Sequence, residues 1–292
     1  MSVLRSMLFV PGDSEKKLAK GASVGADALI LDLEDAVAAS RRPVAREMVH
    51  DYLRNADRSQ SELWVRINPL DTADALRDVT AVARARPDGI ALPKCDGPHH
   101  ILQLSHYLDA MEIEHGIPQG SIAICAIATE TAVAPFSLGQ YKGAPRLRVL
   151  TWGAEDLAAA LGASSNKDEH GEYTAPYVLA RSLCLFGAHA AGVQPLDTVC
   201  PDFRNSARLQ RECEDARRDG YLGKIAIHPD QVAVINAAFT PSAAEIEHAQ
   251  AVIAAFAANP DAGALNLNGK MIDMPHLKQA ERILALVSRA KA

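Results

Sequence analysis

Residues able to carry acid–base, anion-binding or metal-ligating chemistry recur at one kind of place in this sequence, the downstream end of a short apolar run. Glu34 and Asp35 close "ADALILDLED", Arg66 lies in "LWVRINP", Lys94 ends "GIALPK" and Glu130 ends "SIAICAIATE". Glu155 and Asp156 follow "RLRVLTWG", Asp197 lies in "VQPLDTV" and His228 in "KIAIHP". One such residue is unremarkable, because every strand has to return to water. A charged group at nearly every run end is a pattern. Carboxylates crowded together repel unless a cation neutralises them, which points to a divalent metal. Donor sets made of oxygen alone favour Mg2+, which keeps waters and open positions for substrate oxygens.

Such residues meet only if the fold brings the run ends together. With "SMLFVP" at the start, the chain holds eight short β-rich runs. Each closes on a turn residue or a charge, as expected of strands buried on both faces. Amphipathic stretches such as "SEKKLAKGASVG", "SRRPVAREMVHDYLRN" and "TADALRDVTAVARA" alternate with them. This order predicts an α/β fold, a parallel (β/α)8 TIM barrel, whose C-terminal mouth collects the strand ends. A doubly wound open sheet is the alternative, but no GxGxxG follows the first strand. The barrel is expected over 1–240 as the catalytic domain, and 241–292 as a C-terminal helical extension acting as a lid. Within the extension, "TPSAAEIEHAQAVIAAFAA" starts like a helix. The Gly- and Asn-rich "NPDAGALNLNGK" reads as a hinge, and a final helix follows it.

The chain has 292 residues, 48% apolar and 23% charged, which is the balance of a globular protein able to bury a large core. Its net charge of −6 argues against nucleic acid as the main partner. Five scattered cysteines without a CxxC pair suit a reducing compartment rather than a disulfide framework or a zinc site. "MSVLRSMLFVPG" runs straight into a strand and does not read as a secretory signal. No apolar run approaches the roughly 20 residues that span a bilayer. A cytoplasmic protein without a membrane partner is expected.

Longer motifs carry a resemblance. "RSMLFVPGDSEKKLAKG", "LILDLEDAV", "WVRIN", "IATETA", "GAEDLAA" and "GKIAIHPDQV" resemble the citrate lyase β-subunit group of the HpcH/HpaI aldolase superfamily. "GKMIDMPHLKQAERI" resembles its malyl-CoA and citramalyl-CoA lyase branch. The likeness covers nearly the whole chain. It implies that Glu130 and Asp156 are the protein ligands of Mg2+ and that Arg66 grips the carboxylate of a 2-oxo acid. Guanidinium suits that task through bidentate pairing. It further implies that Phe9, Lys16 and Lys20 contact coenzyme A, the lysines through its phosphates. Ile227 and His228 would line the acyl-CoA path, and Glu34 and Asp35 would hold Arg66 and metal-bound water from behind. Phe9 replaces a tyrosine of some relatives, and Asp13 stands where asparagine is frequent, which sets an anion near the supposed phosphate site.

The implied reaction is cleavage of a 3-hydroxyacyl-CoA, citramalyl-CoA or malyl-CoA, to acetyl-CoA and pyruvate or glyoxylate, or the reverse condensation. The resemblance assigns the acid–base role to Asp273, often delivered from a neighbouring subunit of a homo-oligomer, a trimer or hexamer. Rival outcomes are a citryl-CoA lyase subunit of a citrate lyase complex, a malate-synthase or thioesterase activity, and a class II pyruvate aldolase without coenzyme A. Plainer roles stay open for individual residues. Asp273 could cap the last helix, Asp156 could complement a helix dipole, and Lys16 and Lys20 could form a solvated face. Arg66 could be a structural ion pair, and His228 a turn residue.

Overall fold

All eight apolar runs form strands in the computed structural model, which describes residues 3–289. They are β1 (Ser6–Pro11), β2 (Ala28–Asp32), β3 (Glu62–Arg66), β4 (Gly89–Leu92), β5 (Ala123–Ile127), β6 (Leu147–Thr151), β7 (Gln194–Leu196) and β8 (Lys224–Ala226). The sheet runs β7-β6-β5-β4-β3-β2-β1-β8, every neighbouring pair is parallel, and a parallel bridge from Asp197 to Lys224 joins its two edges. The sheet therefore closes into a (β/α)8 barrel. Strands covered on both faces must be apolar throughout, and all five residues of β2 and all four of β4 are buried.

Helices follow the strands: α1 (Glu15–Gly21), α2 (Arg42–Asn55), α3 (Ala73–Ala83), α4 (Pro98–Glu114), α5 (Ala154–Leu161), α6 (Ala175–Ala191), α7 (Ser206–Asp219) and α8 (Pro229–Phe239). Between β5 and β6 the chain makes only a 3-10 segment, Ala134–Gln140, with proline in its first turn. The β6–β7 crossover carries two helices, and the short α5 sits at the barrel mouth with Glu155 and Asp156 in its first turn.

The barrel interior is a packed core. Met7, Ile30, Trp64, Ala91, Cys125, Val149, Leu196 and Ile225 form it, one from each strand. Trp64 is fully buried because Gly89 gives it room; a methyl at Gly89 would lie 2.2 Å from the indole. Below it, register slips between Ile124 and Cys125, which pair with Leu147 and Val149 and leave Arg148 as the extra residue of a bulge. Bulges re-aim side chains. Arg148 makes a bidentate pair with Glu62 at 2.7 and 2.9 Å, with its guanidinium 5.6 Å from the Trp64 ring. This charge pair closes the end of the barrel opposite the mouth.

The chain divides into two compact units, Leu4–Asn236 and a second beginning at Ala237. The second holds α9 (Ala243–Ala258), β9 (Ala264–Leu267), β10 (Lys270–Asp273) and α10 (Met274–Arg289). A capping box between Ser242 and Glu245 starts α9. The Gly- and Asn-rich stretch is not a hinge but an antiparallel hairpin. Its turn is Asn268–Gly269, with φ of 53° and 80°, the pair of positive angles that a two-residue hairpin turn requires. Ala249, Val252, Phe256, Ile272 and Ala280 form the core of this unit. Among the described residues no helix is long and apolar enough to cross a membrane.

Candidate active site

Parallel register brings Asp32, the last residue of β2, beside Arg66, the last of β3. The carboxylate accepts from Nε and Nη2 of Arg66, both at 2.7 Å, and also from the backbone N–H groups of Glu34 and Ala36, each at 3.0 Å. The Phe9 ring lies under the guanidinium, 4.5 Å from Cζ. Burial works against the Arg66 charge, but the hydrogen bonds and charge of Asp32, with Glu34 and Asp35 behind them, hold its pKa above the ordinary value. Glu34 and Asp35 are the support expected for Arg66 from sequence. Asp32 is instead the principal partner, with Glu34 Oε2 at 3.0 Å from Nη1 and Asp35 at 3.8 Å and mostly exposed. The omission has a physical cause, because Asp32 stands inside the apolar run and looks like part of the strand.

Lys94 ties the next group together. It sits in left-handed backbone, φ 48°, a conformation that L side chains rarely adopt. Its N–H donates to Glu130 Oε2 at 2.6 Å, and its ammonium reaches Glu34 Oε1 at 2.6 Å and Asp156 Oδ1 at 3.3 Å. Glu130 fits only because the residue facing it is glycine; a methyl on Gly153 would lie 2.8 Å from Glu130 Cγ. Thr129 pins the same crossing, accepting from the Gly153 N–H at 3.0 Å. Burial, and then the charge of Asp156, push the Glu130 carboxyl up to about 8 against the pull of the Lys94 N–H. Burial also raises Glu34, opposed by Arg66 and Lys94. Glu34 Oε2 is buried without a well-directed hydrogen bond.

This donor set fits a hard divalent cation. Among the described residues no three His, Cys, Asp or Glu side chains form a closed cage. Two carboxylates with open positions beside them are what Mg2+ takes, completing its shell with water or substrate oxygen. A buried carboxyl whose charge is suppressed, beside a second carboxylate, is a place where added positive charge is favourable.

The structure also locates the other expected residues. Lys16 and Lys20 lie exposed on α1. Asp13 nearby is partly neutralised by Arg41, whose Nε is 3.4 Å from Asp13 Oδ2 and whose Nη2 donates to the Asp13 carbonyl at 3.1 Å. Arg41 was not singled out from sequence; it lies 28 residues away, with no local pattern linking it to that turn. The backbone N–H groups of Ile227 and His228 both donate to Gln231 Oε1, at 2.8 and 3.2 Å, and the His228 ring stacks on Phe203 at 4.6 Å. Asp197 does not join the mouth as expected. It is buried behind the strands, accepting from Trp152 at 2.8 Å, Lys224 at 2.8 Å and Arg181 of α6 at 3.2 Å. In the second unit, Asp273 ends β10 with Oδ1 2.5 Å from His276 Nδ1, and its own N–H donates to that nitrogen at 3.2 Å.

The chain as a whole has counterparts among known proteins. The chain is 35% identical to mitochondrial citramalyl-CoA lyase of Rattus norvegicus, covering 98% of this chain and 87% of the relative. It is 35% identical to a (3S)-malyl-CoA thioesterase of Cereibacter sphaeroides, covering 96% and 93%. A crystal structure of the protein CitE from Mycobacterium tuberculosis, in complex with magnesium, acetoacetate and coenzyme A, superposes with a TM-score of 0.80 at 32% identity over 98% of each chain. The family model for HpcH/HpaI aldolase/citrate lyase matches residues 5–229, the stretch that contains every barrel strand and the whole mouth, and the chain belongs to that family.

Proposed function

We propose that this protein is a Mg2+-dependent carbon–carbon lyase that cleaves a 3-hydroxyacyl-CoA to acetyl-CoA and a 2-oxo acid, or runs the reverse condensation. (S)-Citramalyl-CoA, giving pyruvate, is the first substrate, and malyl-CoA, giving glyoxylate, the second. The observation that carries this reading is the charged, bidentately held Arg66 at the same mouth as the paired acids Glu130 and Asp156. An anion clamp beside an oxygen-donor metal site suits a small oxo acid, whose carboxylate and carbonyl oxygens need both. The resemblance to the named lyase and thioesterase supports it.

In the proposed mechanism Arg66 binds the substrate carboxylate, and Asp32 compensates the buried guanidinium charge and fixes its orientation. Glu130 and Asp156 would hold Mg2+, which supplies Lewis-acid stabilisation of charge on the oxo-acid oxygens. Cleavage breaks the bond between the hydroxyl-bearing carbon and the carbon next to the thioester. The hydroxyl proton passes to water at the mouth as the oxo group forms, and the thioester enolate takes up one proton at carbon, so the proton count balances. Asp273 is the proposed donor of that proton, and in the condensing direction the base that removes it. Phe9, Lys16, Lys20, Ile227 and His228 are the proposed contacts of coenzyme A, the lysines pairing with its phosphates. Glu34 and Asp35 are proposed to steady the polar surroundings of Arg66.

A homo-oligomer, trimer or hexamer, belongs to the same proposal. The 3-10 segment meets α6 at Gly187, where a methyl would lie 2.3 Å from the Leu138 carbonyl. Phe136 on that segment is 83% exposed and Phe186 on α6 is 64% exposed, apolar surface that a second copy would cover. A cytoplasmic location also belongs to it, since all five cysteines are buried and unpaired.

The test is a purified-enzyme assay of acetyl-CoA with pyruvate, glyoxylate and oxaloacetate in parallel, with free thiol followed alongside. Mg2+-dependent condensation with pyruvate or glyoxylate is expected. Free coenzyme A accumulating after condensation would move the reading to the thioesterase outcome, which the Cereibacter relative favours. Preference for oxaloacetate would move it to the citryl-CoA reading. Turnover of free hydroxy-oxo acids without coenzyme A would overturn it in favour of an aldolase.

A further inference from the structure

Lys94 has two jobs at this site that pull in different directions. Its backbone N–H, 2.6 Å from Glu130 Oε2, aims one proposed metal ligand. Its ammonium, 3.3 Å from Asp156 Oδ1, sits on the other. An ammonium on that carboxylate competes directly with a metal ion for it. The left-handed backbone at φ 48° makes the double engagement possible, because it turns the N–H toward Glu130 while the side chain stays among the acids. Glu34 supplies the anchor. It holds Nζ at 2.6 Å, closer than Asp156 does, and Glu34 is itself buried against Arg66. The ammonium can therefore leave Asp156 without leaving the mouth.

We propose that the Lys94 ammonium is a resident counter-cation, which a divalent metal displaces from Asp156 onto Glu34 alone. Without metal it keeps Glu34 and Asp156 from repelling one another, and so keeps the site assembled. With metal it is a neighbouring positive charge that lowers affinity for the ion. Lys94 is thus a positioning residue that sets how tightly the metal is held. This inference rests on the assignment of Glu130 and Asp156 as ligands.

The experiment measures Mn2+ binding to metal-stripped full-length protein by electron paramagnetic resonance, with no substrate present. Wild type is compared with Lys94→Met, Lys94→Gly and Glu130→Gln. Methionine keeps the length of the side chain, and glycine accepts φ 48° without strain. Both Lys94 variants are expected to bind Mn2+ about tenfold tighter or more, the loss of one nearby positive charge. The rise in melting temperature on adding Mn2+ should be larger in both than in wild type. Glu130→Gln should lose binding. If Glu130→Gln binds like wild type, the ligand assignment falls and this inference with it. If Glu130→Gln loses binding while folded Lys94→Met or Lys94→Gly binds no tighter than wild type, the counter-cation role alone is overturned.

Discussion

Glu130 and Gly153 face each other so closely that a methyl on Gly153 would lie 2.8 Å from Glu130 Cγ and 3.0 Å from its Oε1. Gly153 has φ −122° and ψ 122°, ordinary extended backbone that any residue adopts. Its smallness is therefore required for space and not for conformation. Gly153→Ala is expected to fold and to lose about 1–3 kcal/mol of stability, the usual effect of crowding a packed site. Chemical denaturation measures that loss. The same variant should bind metal several-fold more weakly, because Glu130 has to move off the Lys94 N–H. Metal affinity equal to wild type would show that Glu130 tolerates the shift and is not a ligand.

Asp32 is the residue that fixes the Arg66 guanidinium and compensates its buried charge. Removing one member of a buried ion pair costs about 3–5 kcal/mol, because the other charge is left without a partner. Asp32→Asn is expected to lose stability on that scale. A soluble Asp32→Asn should also show a raised KM for the oxo acid, its guanidinium no longer fixed. Arg66→Lys tests the clamp itself. One ammonium cannot reproduce two parallel hydrogen bonds, so KM for the oxo acid should rise by about tenfold or more with a smaller change for acetyl-CoA. An unchanged KM would reduce the Arg66–Asp32 pair to a structural role.

How much of this was legible in the sequence differs from residue to residue. The strands were visible because a parallel barrel buries both faces of each one, leaving short unbroken apolar runs such as "ALILD". The acids just beyond those runs stood out for the same reason. Asp32 did not, since its charge lies within the run and only register shows that it faces Arg66. Asp197 misled because strand ends alternate in direction. One position decides whether a carboxylate faces the mouth or the helices behind, and a three-residue strand gives too little pattern to tell. In sequence the Asn268–Gly269 pair reads as flexibility, although the two positive φ angles are those of a tight hairpin turn. Arg148 was unreadable, because a bulge breaks the alternation on which such reading depends.

The raised Glu130 carboxyl predicts how stability responds to pH. A free glutamate ionises near 4.5, whereas in the folded, metal-free protein Glu130 holds its proton to about 8. Between those values the folded state binds more protons than the unfolded state, so stability falls as pH rises through that window. The fall should be on the order of a few kcal/mol, since one unit of difference corresponds to about 1.4 kcal/mol. Melting temperatures of metal-stripped protein across the window should show this downward slope. Saturating Mg2+ should flatten it, and Glu130→Gln should reduce it, with or without metal, to the smaller contribution of the likewise raised Glu34. A rising slope in the stripped wild type would contradict the burial of an unneutralised carboxyl at this position.

Asp273 poses a different question, because its carboxylate is engaged with His276 at 2.5 Å in a unit separate from the barrel. Asparagine keeps the shape of aspartate and its capping ability, but it cannot exchange a proton. Asp273→Asn should therefore melt close to wild type and lose about 10²- to 10⁴-fold in kcat, the usual contribution of a general acid or base. Its KM for the oxo acid should stay near wild type, since Arg66 and the proposed metal ligands remain. The variant should also fail to exchange the methyl protons of acetyl-CoA in deuterated buffer, a readout of proton transfer that does not depend on carbon–carbon bond formation. Mixing Asp273→Asn with Arg66→Lys chains under conditions of subunit exchange then asks which barrel the acid serves. If it acts on a partner, some mixed assemblies pair an intact Arg66 with an intact Asp273, and activity returns. If it acts within its own chain, every site keeps one defect and the mixture stays at the sum of its parts. An Asp273→Asn enzyme with full kcat would make the Asp273–His276 pair a helix-start device and move the acid–base role elsewhere.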